Sequence, residues 1–113
     1  MRGRLGEQRA ARSLEREGYR VVSRNFRCRR GEIDLVIVRE QTIAFVEVKT
    51  WEAFDSSSLE WAVGPRKQKR IIGASRVFLA RYPVYSDYYV RYDLVFVSDG
   101  MRSIEHLEDA FVA

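Results

Sequence analysis

Two apolar runs dominate the hydropathy pattern: Gly31-Glu32-Ile33-Asp34-Leu35-Val36-Ile37-Val38 and Ile43-Ala44-Phe45-Val46-Glu47-Val48-Lys49. Both are short, rich in Val, Ile and Phe, and separated only by the polar connection Arg39 to Thr42. That pattern predicts two buried strands joined as an antiparallel hairpin. A loop centred between Glu40 and Gln41 sets Asp34 opposite Glu47 and Glu32 opposite Lys49. Side chains alternate along a strand, so Glu47 and Lys49 share a face, separated by about 7 Å of rise. Asp34 joins that face from the neighbouring strand. A three-residue loop would slip the register by one and send Asp34 to the other side.

The flanking elements follow from the same patterning. Residues 3–17 predict a helix with Leu5, Ala10, Ala11 and Leu14 on its apolar side, closed by Gly18 at C′. Tyr19-Arg20-Val21-Val22 begins a strand running toward Asn25-Phe26, and Cys28-Arg29-Arg30-Gly31 is a tight basic connection into the hairpin. Trp51 to Ser58 has no periodicity and reads as a loop next to Lys49, where a substrate-contacting segment would be useful. Val63-Gly64-Pro65 starts a helix with Pro at N1, and Pro83 ends it near Tyr82. Ile71, Ile72, Ser75, Phe78, Leu79 and Tyr82 form its buried stripe, with Lys67 and Arg70 facing away. Residues 90–97 predict a strand, Ser98-Asp99-Gly100 a turn, and 101–107 a last strand.

The order is therefore α-β-β-β-α-β-β in one domain. Three antiparallel strands followed by a crossover helix place the fourth strand parallel to the third, in a mixed sheet flanked by helices. Central strands covered on both faces account for their near-continuous apolar character.

Acids and an amine inside such a hairpin need a reason. Burying a charge costs several kcal/mol unless it is paired or binds a metal. Facing carboxylates repel and raise a pKa unless a cation lies between them. One reading is a salt bridge from Lys49 to Glu47 or Glu32 at a solvated sheet end. The other is a site for Mg²⁺ or Mn²⁺, which favours one or two carboxylates plus waters and phosphate oxygens.

Charge sharpens the picture. The first thirty residues hold ten Arg against three Glu, a local balance of +7, and the rest of the chain carries −3. Arg66-Lys67-Gln68-Lys69-Arg70 is a second basic cluster. Such clusters suit a nucleic-acid backbone, although a solvated basic face has the same composition. One Cys and one His exclude an internal disulfide and leave little for zinc. No stretch is long and apolar enough for a membrane span or a signal peptide, so a cytoplasmic setting is expected.

Gly3-x-x-Gly6-Glu7-x-x-Ala10, Gly18-Tyr19, Arg24-Asn25-Phe26-Arg27, Gly31-Glu32-Ile33-Asp34-Leu35 and Phe45-Val46-Glu47-Val48-Lys49 together resemble the bacterial YraN-like family. Ala62-Val63, Lys67-x-x-Arg70, Arg91-Tyr92-Asp93 and Ala110-Phe111 extend the resemblance over nearly the whole chain. That family is similar to archaeal Holliday-junction resolvases and to PD-(D/E)xK nucleases, which implies an α/β, restriction-endonuclease-like αβββαβ core. Asp34 corresponds to the acid of the first motif, Glu47 and Lys49 to the (D/E)xK of the second, and Glu7 to a helix glutamate of the resolvases. The resemblance implies a Mg²⁺- or Mn²⁺-dependent endonuclease acting on DNA, with Asp34, Glu47 and the Val48 carbonyl as metal ligands. It would be a homodimer if its substrate is a two-fold symmetric junction.

Ile33 stands where the superfamily has proline. Lys49-Thr50-Trp51 and Trp61-Ala62-Val63 lack an arginine and a glutamate usual near the site, with Glu60 one position away. Arg29, Arg30, Lys67 and Arg70 are candidates for phosphate contacts that fix position without reading sequence. Glu7 is equally a first-turn glutamate favoured by the helix dipole. His106 and Asp93 are expected to be structural, and the tyrosines between 82 and 92 to pack in the core rather than stack on bases. A nuclease-fold protein that binds without cutting, and a protein-interaction module, are the other function classes.

Overall fold

The computed structural model describes residues 2–51, 63–98 and 103–113. In chain order these form α1 (Arg2–Arg16), β1 (Arg20–Cys28), β2 (Gly31–Arg39), β3 (Thr42–Trp51), α2 (Pro65–Arg81), β4 (Tyr89–Ser98) and β5 (Ile104–Phe111). A single 3₁₀ turn, Pro83–Tyr85, follows α2. The sheet runs β1-β2-β3-β4-β5, with β3 and β4 parallel and every other pair antiparallel. This is the expected mixed α/β sheet, consistent with a restriction-endonuclease-like core. Among the described residues, no helix is long and apolar enough to cross a membrane.

Period-two alternation divides the core. Val36, Val38, Ile43, Phe45, Leu94 and Phe96 pack with Ile71, Ala74 and Phe78 of α2. Leu35, Ile37, Ala44, Val46, Val95 and Val97 pack with Ala10, Ala11 and Leu14 of α1. Each central strand therefore buries both faces and can be apolar throughout.

Some expectations shift. Leu5 is 52% exposed, because the stripe of α1 passes through Gly6 instead. A Cβ at Gly6 would sit 2.5 Å from Thr50 Oγ1, so the missing side chain lets α1 lie against β3. Tyr82 caps α2 and is 46% exposed, although its ring lies 4.6 Å from that of Phe78. The last strand is Ile104–Phe111 rather than 101–107, because mutual bonds between Ser98 and Ser103 close a longer connection. The predicted loop 51–58 and turn 98–100 fall mostly on residues outside those described. Of the tyrosines expected in the core, Tyr92 packs there, stacked between Phe45 and Phe111, whereas Tyr89 at the start of β4 is 65% exposed.

On the α1 face a buried polar network ties β4 to β5 and to the end of α1. Asp93 is fully buried and accepts from Arg91 Nε and Nη2 (2.9 and 2.8 Å), His106 Nε2 (2.7 Å) and the Asp109 amide (3.1 Å). Arg91 also donates to the Tyr19 hydroxyl at 2.6 Å, and His106 Nδ1 lies 3.2 Å from Glu17. Burial opposes the charge on Asp93, but these donors outweigh it and hold its pKa below the ordinary range. Burial likewise opposes the imidazolium, yet its bonds to Asp93 and Glu17 raise the His106 pKa. His106 and Asp93 thus serve the fold.

Two measurements check this account. Gly31→Ala would push a Cβ to 2.8 Å from the Arg70 carbonyl oxygen, whereas one at Gly64 meets nothing within 4 Å. Chemical denaturation should show Gly31→Ala destabilised by about 1–3 kcal/mol, and Gly64→Ala far less affected. His106, with its raised folded pKa, contributes stability that is complete below about pH 6.5 and lost as pH rises through the folded value. Denaturation midpoints should fall over that range, and the fall should shrink in His106→Gln.

Candidate metal centre

The hairpin register is the one the apolar pattern requires, with Val38 opposite Ile43 and Leu35 opposite Val46. Main-chain pairing of β2 with β3 stops there. Two residues further along β3, the Val48 amide donates to Asp34 Oδ2 at 2.8 Å, so a side chain takes over from the strand. The amide and carbonyl of one extended residue face the same neighbour. The Val48 carbonyl is therefore directed to the side where Asp34 sits. Glu47 and Lys49 fall on the α2 face of β3, in phase with Ile43 and Phe45.

The second wall comes from α2. Gly31 lets the helix backbone approach β2, and Gly73 makes room for the Arg30 stem, whose Cβ and Cδ would each lie 3.2 Å from an added methyl. Pro65 sets the start of α2, and the first turn carries Arg66 and Lys67 but no acid. The result is a cleft of about 560 Å³ with Glu32, Asp34 and Glu47 on one side and Arg66, Lys67 and Arg70 on the other.

Its electrostatics are unsettled. Asp34 is pushed up to about 7 by burial first, then by the Glu47 charge, with Glu7 adding to the effect and the Val48 amide opposing it. Glu47, its side chain 7% exposed, meets two ammonium groups: Lys67 Nζ lies 2.6 Å and Lys49 Nζ 3.7 Å from the same oxygen, Oε1. Burial and the adjoining Lys67 lower the Lys49 pKa. Lys67 is raised, because Glu47 outweighs the burial that opposes its charge.

The residues singled out in the sequence are distributed as follows. Asp34, Glu47 and Lys49 meet at the open end of the β2–β3 pair. Glu7 acts on Asp34 through its charge, yet among the described residues no three His, Cys, Asp or Glu side chains form a group that could hold an ion. Two carboxylates and a main-chain carbonyl remain, a donor set that suits Mg²⁺ with its retained waters. Glu32 lies 3.6 Å from Arg27 rather than on Lys49. Arg29 and Arg30 occupy the exposed β1–β2 turn, and Arg70 lines the cleft. Lys67, expected to face away from the packed stripe, instead reaches the sheet at Glu47. Glu60, Trp61 and Ala62 lie outside the described residues.

Asn25 was not anticipated. The pairs Arg24–Leu35 and Phe26–Ile33 leave it across from Asp34, and it adopts a left-handed φ of 54°. Asparagine tolerates that region better than most residues, and its poor strand propensity within residues 20–28 was the available signal.

With this geometry in view, comparison with known proteins gives one consistent answer. Residues 6–97 match the model of "Uncharacterised protein family UPF0102". A UPF0102 protein of Syntrophus aciditrophicus is 46% identical over 112 residues, covering 96% of this chain and 87% of that relative. One from Prosthecochloris aestuarii is 40% identical over 119 residues, covering 98% and 93%. One from Treponema pallidum is 41% identical over 114 residues, covering 96% and 90%. The chain belongs to the UPF0102 family, the YraN-like group its motifs resemble.

Proposed function

We propose that this protein is a divalent-metal-dependent nuclease that hydrolyses phosphodiester bonds in DNA, branched structures among them. The observation that carries the reading is the meeting of Asp34, Glu47 and Lys49 at one end of the β2–β3 pair, inside a cleft whose opposite wall is basic. Asp34, Glu47 and the Val48 carbonyl would hold Mg²⁺ or Mn²⁺. When bound, the ion supplies a lowered pKa for water and charge neutralisation at the scissile phosphate.

The chain's own groups do the rest. The Val48 amide fixes the Asp34 carboxylate beside Glu47, in the lining of the cleft. Lys49, at hydrogen-bonding range of a phosphate seated beside Glu47, orients the attacking water or stabilises the charge that develops. Arg29, Arg30 and Arg70 contact flanking phosphates and set position. A symmetric junction would require a second copy of the chain, related by a two-fold axis.

The raised Asp34 pKa supports this reading in its own right. A structural carboxylate would be placed where folding favours its charge, yet here the fold disfavours it. A site that costs stability until a cation arrives is built for binding. The sign is definite: folded protein holds a proton on Asp34 that unfolded protein has lost, so stability declines as pH rises from about 4 to about 7. Asp34→Asn should flatten that decline and stabilise the metal-free protein near neutrality by on the order of 1–3 kcal/mol, read by thermal or chemical denaturation.

The activity test uses single-stranded, duplex and branched DNA with Mg²⁺ or Mn²⁺. Cleavage should appear with either ion and vanish with chelator. Glu47→Ala and Lys49→Ala should each lower the rate at least about a hundredfold while leaving DNA affinity largely intact. Binding without cleavage under all these conditions would assign the chain to nucleic-acid binding alone, and affinity for neither DNA nor metal would end the proposal.

A further inference from the structure

Lys67 stands where a cation is least welcome. It lies in the first turn of α2, beside Arg66, with no acid in that turn. The positive end of the helix dipole repels an ammonium there. It is held instead by the buried Glu47 carboxylate, 2.6 Å away, a closer contact than Glu47 makes with Lys49 on its own strand at 3.7 Å. Glu47 thus has its nearest counter-charge from another element, on the same oxygen, Oε1, that Lys49 approaches.

We propose that Lys67 is a resident counter-cation, which a divalent ion must displace from Glu47 and whose released ammonium then binds a phosphate oxygen of the incoming strand. The proposal rests on the metal-site reading above and adds a role for one residue within it. Before the ion arrives, the ammonium partly neutralises a carboxylate that would otherwise be buried beside Asp34. Afterwards the same carboxylate is claimed by a doubly charged ion, which attracts it more strongly and repels the ammonium. The start of a helix, with its free amides, favours an anion at that point. Arg66 and Arg70 line the same wall and leave the acidic side to the metal.

The competition has a sign opposite to that of an ordinary supporting residue. Removing a positioning group weakens metal binding, whereas removing a competitor strengthens it. Lys67 is half-exposed, so Lys67→Met should fold, and thermal denaturation checks that it does. Titration of the full chain with Mn²⁺, following free ion by electron paramagnetic resonance, should show Lys67→Met binding about tenfold tighter than wild type, with Lys67→Arg close to wild type. Duplex DNA affinity measured in Ca²⁺ should fall in Lys67→Met, and in chelator it should change little, because there the ammonium is tied to Glu47.

A wild type that binds Mn²⁺ no more weakly than Lys67→Met would overturn the displacement while leaving the metal centre in place. Weaker Mn²⁺ binding in Lys67→Met would do the same, making Lys67 a support. Failure of both proteins to take up Mn²⁺ would remove the metal centre and this role together. An equal loss of DNA affinity in Ca²⁺ and in chelator would show that the ammonium meets phosphate without first being released, and would likewise overturn the proposal.

Discussion

The site depends on one hydrogen bond, from the Val48 amide to Asp34 Oδ2. Two antiparallel strands ordinarily continue pairing until a chain turns away. Here the β2 residues that precede Leu35 contribute no main-chain partners to β3, and the Asp34 side chain supplies the next acceptor. The exchange satisfies a half-buried donor that the strand pairing leaves over. It also anchors a carboxylate beside Glu47 on the acidic wall of the cleft that α2 closes.

What fills the other side of that cleft follows from residues that have no side chain to offer. Gly31 admits the α2 backbone at a separation a methyl group could not tolerate, Gly73 accepts the Arg30 stem, and Gly6 lets α1 meet Thr50 on the opposite face. These contacts set the distance between an acidic strand wall and a basic helix wall. A helix standing further off would leave Lys67 short of Glu47 and the cleft open to solvent, where charge interactions fade within a Debye length.

Much of this was legible in the sequence. The β2–β3 register followed from two apolar runs and a four-residue connection, and with it the shared face of Asp34, Glu47 and Lys49. The parallel placement of β4 followed from a helix intervening after three antiparallel strands. Lys67 was not legible, because helical periodicity fixes which face is packed but not how far a long side chain reaches around it. Leu5 was misplaced because a leucine outweighs a glycine in any hydrophobic count, although the glycine's absent side chain decides the contact. The start of β5 was missed because serine pairing sets it, and serines carry no period. Asn25 left a trace only as an unfavourable residue in a good strand.

The two charged clusters of this fold make an informative contrast. Asp93 is fully buried, yet Arg91, His106 and a backbone amide all donate to it, and its pKa is lowered. The fold prefers that carboxylate charged and has arranged every neighbour accordingly. Asp34 receives one amide and two neighbouring acids, and its pKa is raised. The chain therefore demonstrates on the α1 face how it settles a buried acid. On the α2 face it leaves one unsettled, beside a glutamate whose nearest cation is borrowed from a helix terminus. Carboxylates whose environments push their pKa values apart in this way mark different tasks: the satisfied one serves the structure, and the frustrated one is the group to which the proposed function assigns a cation.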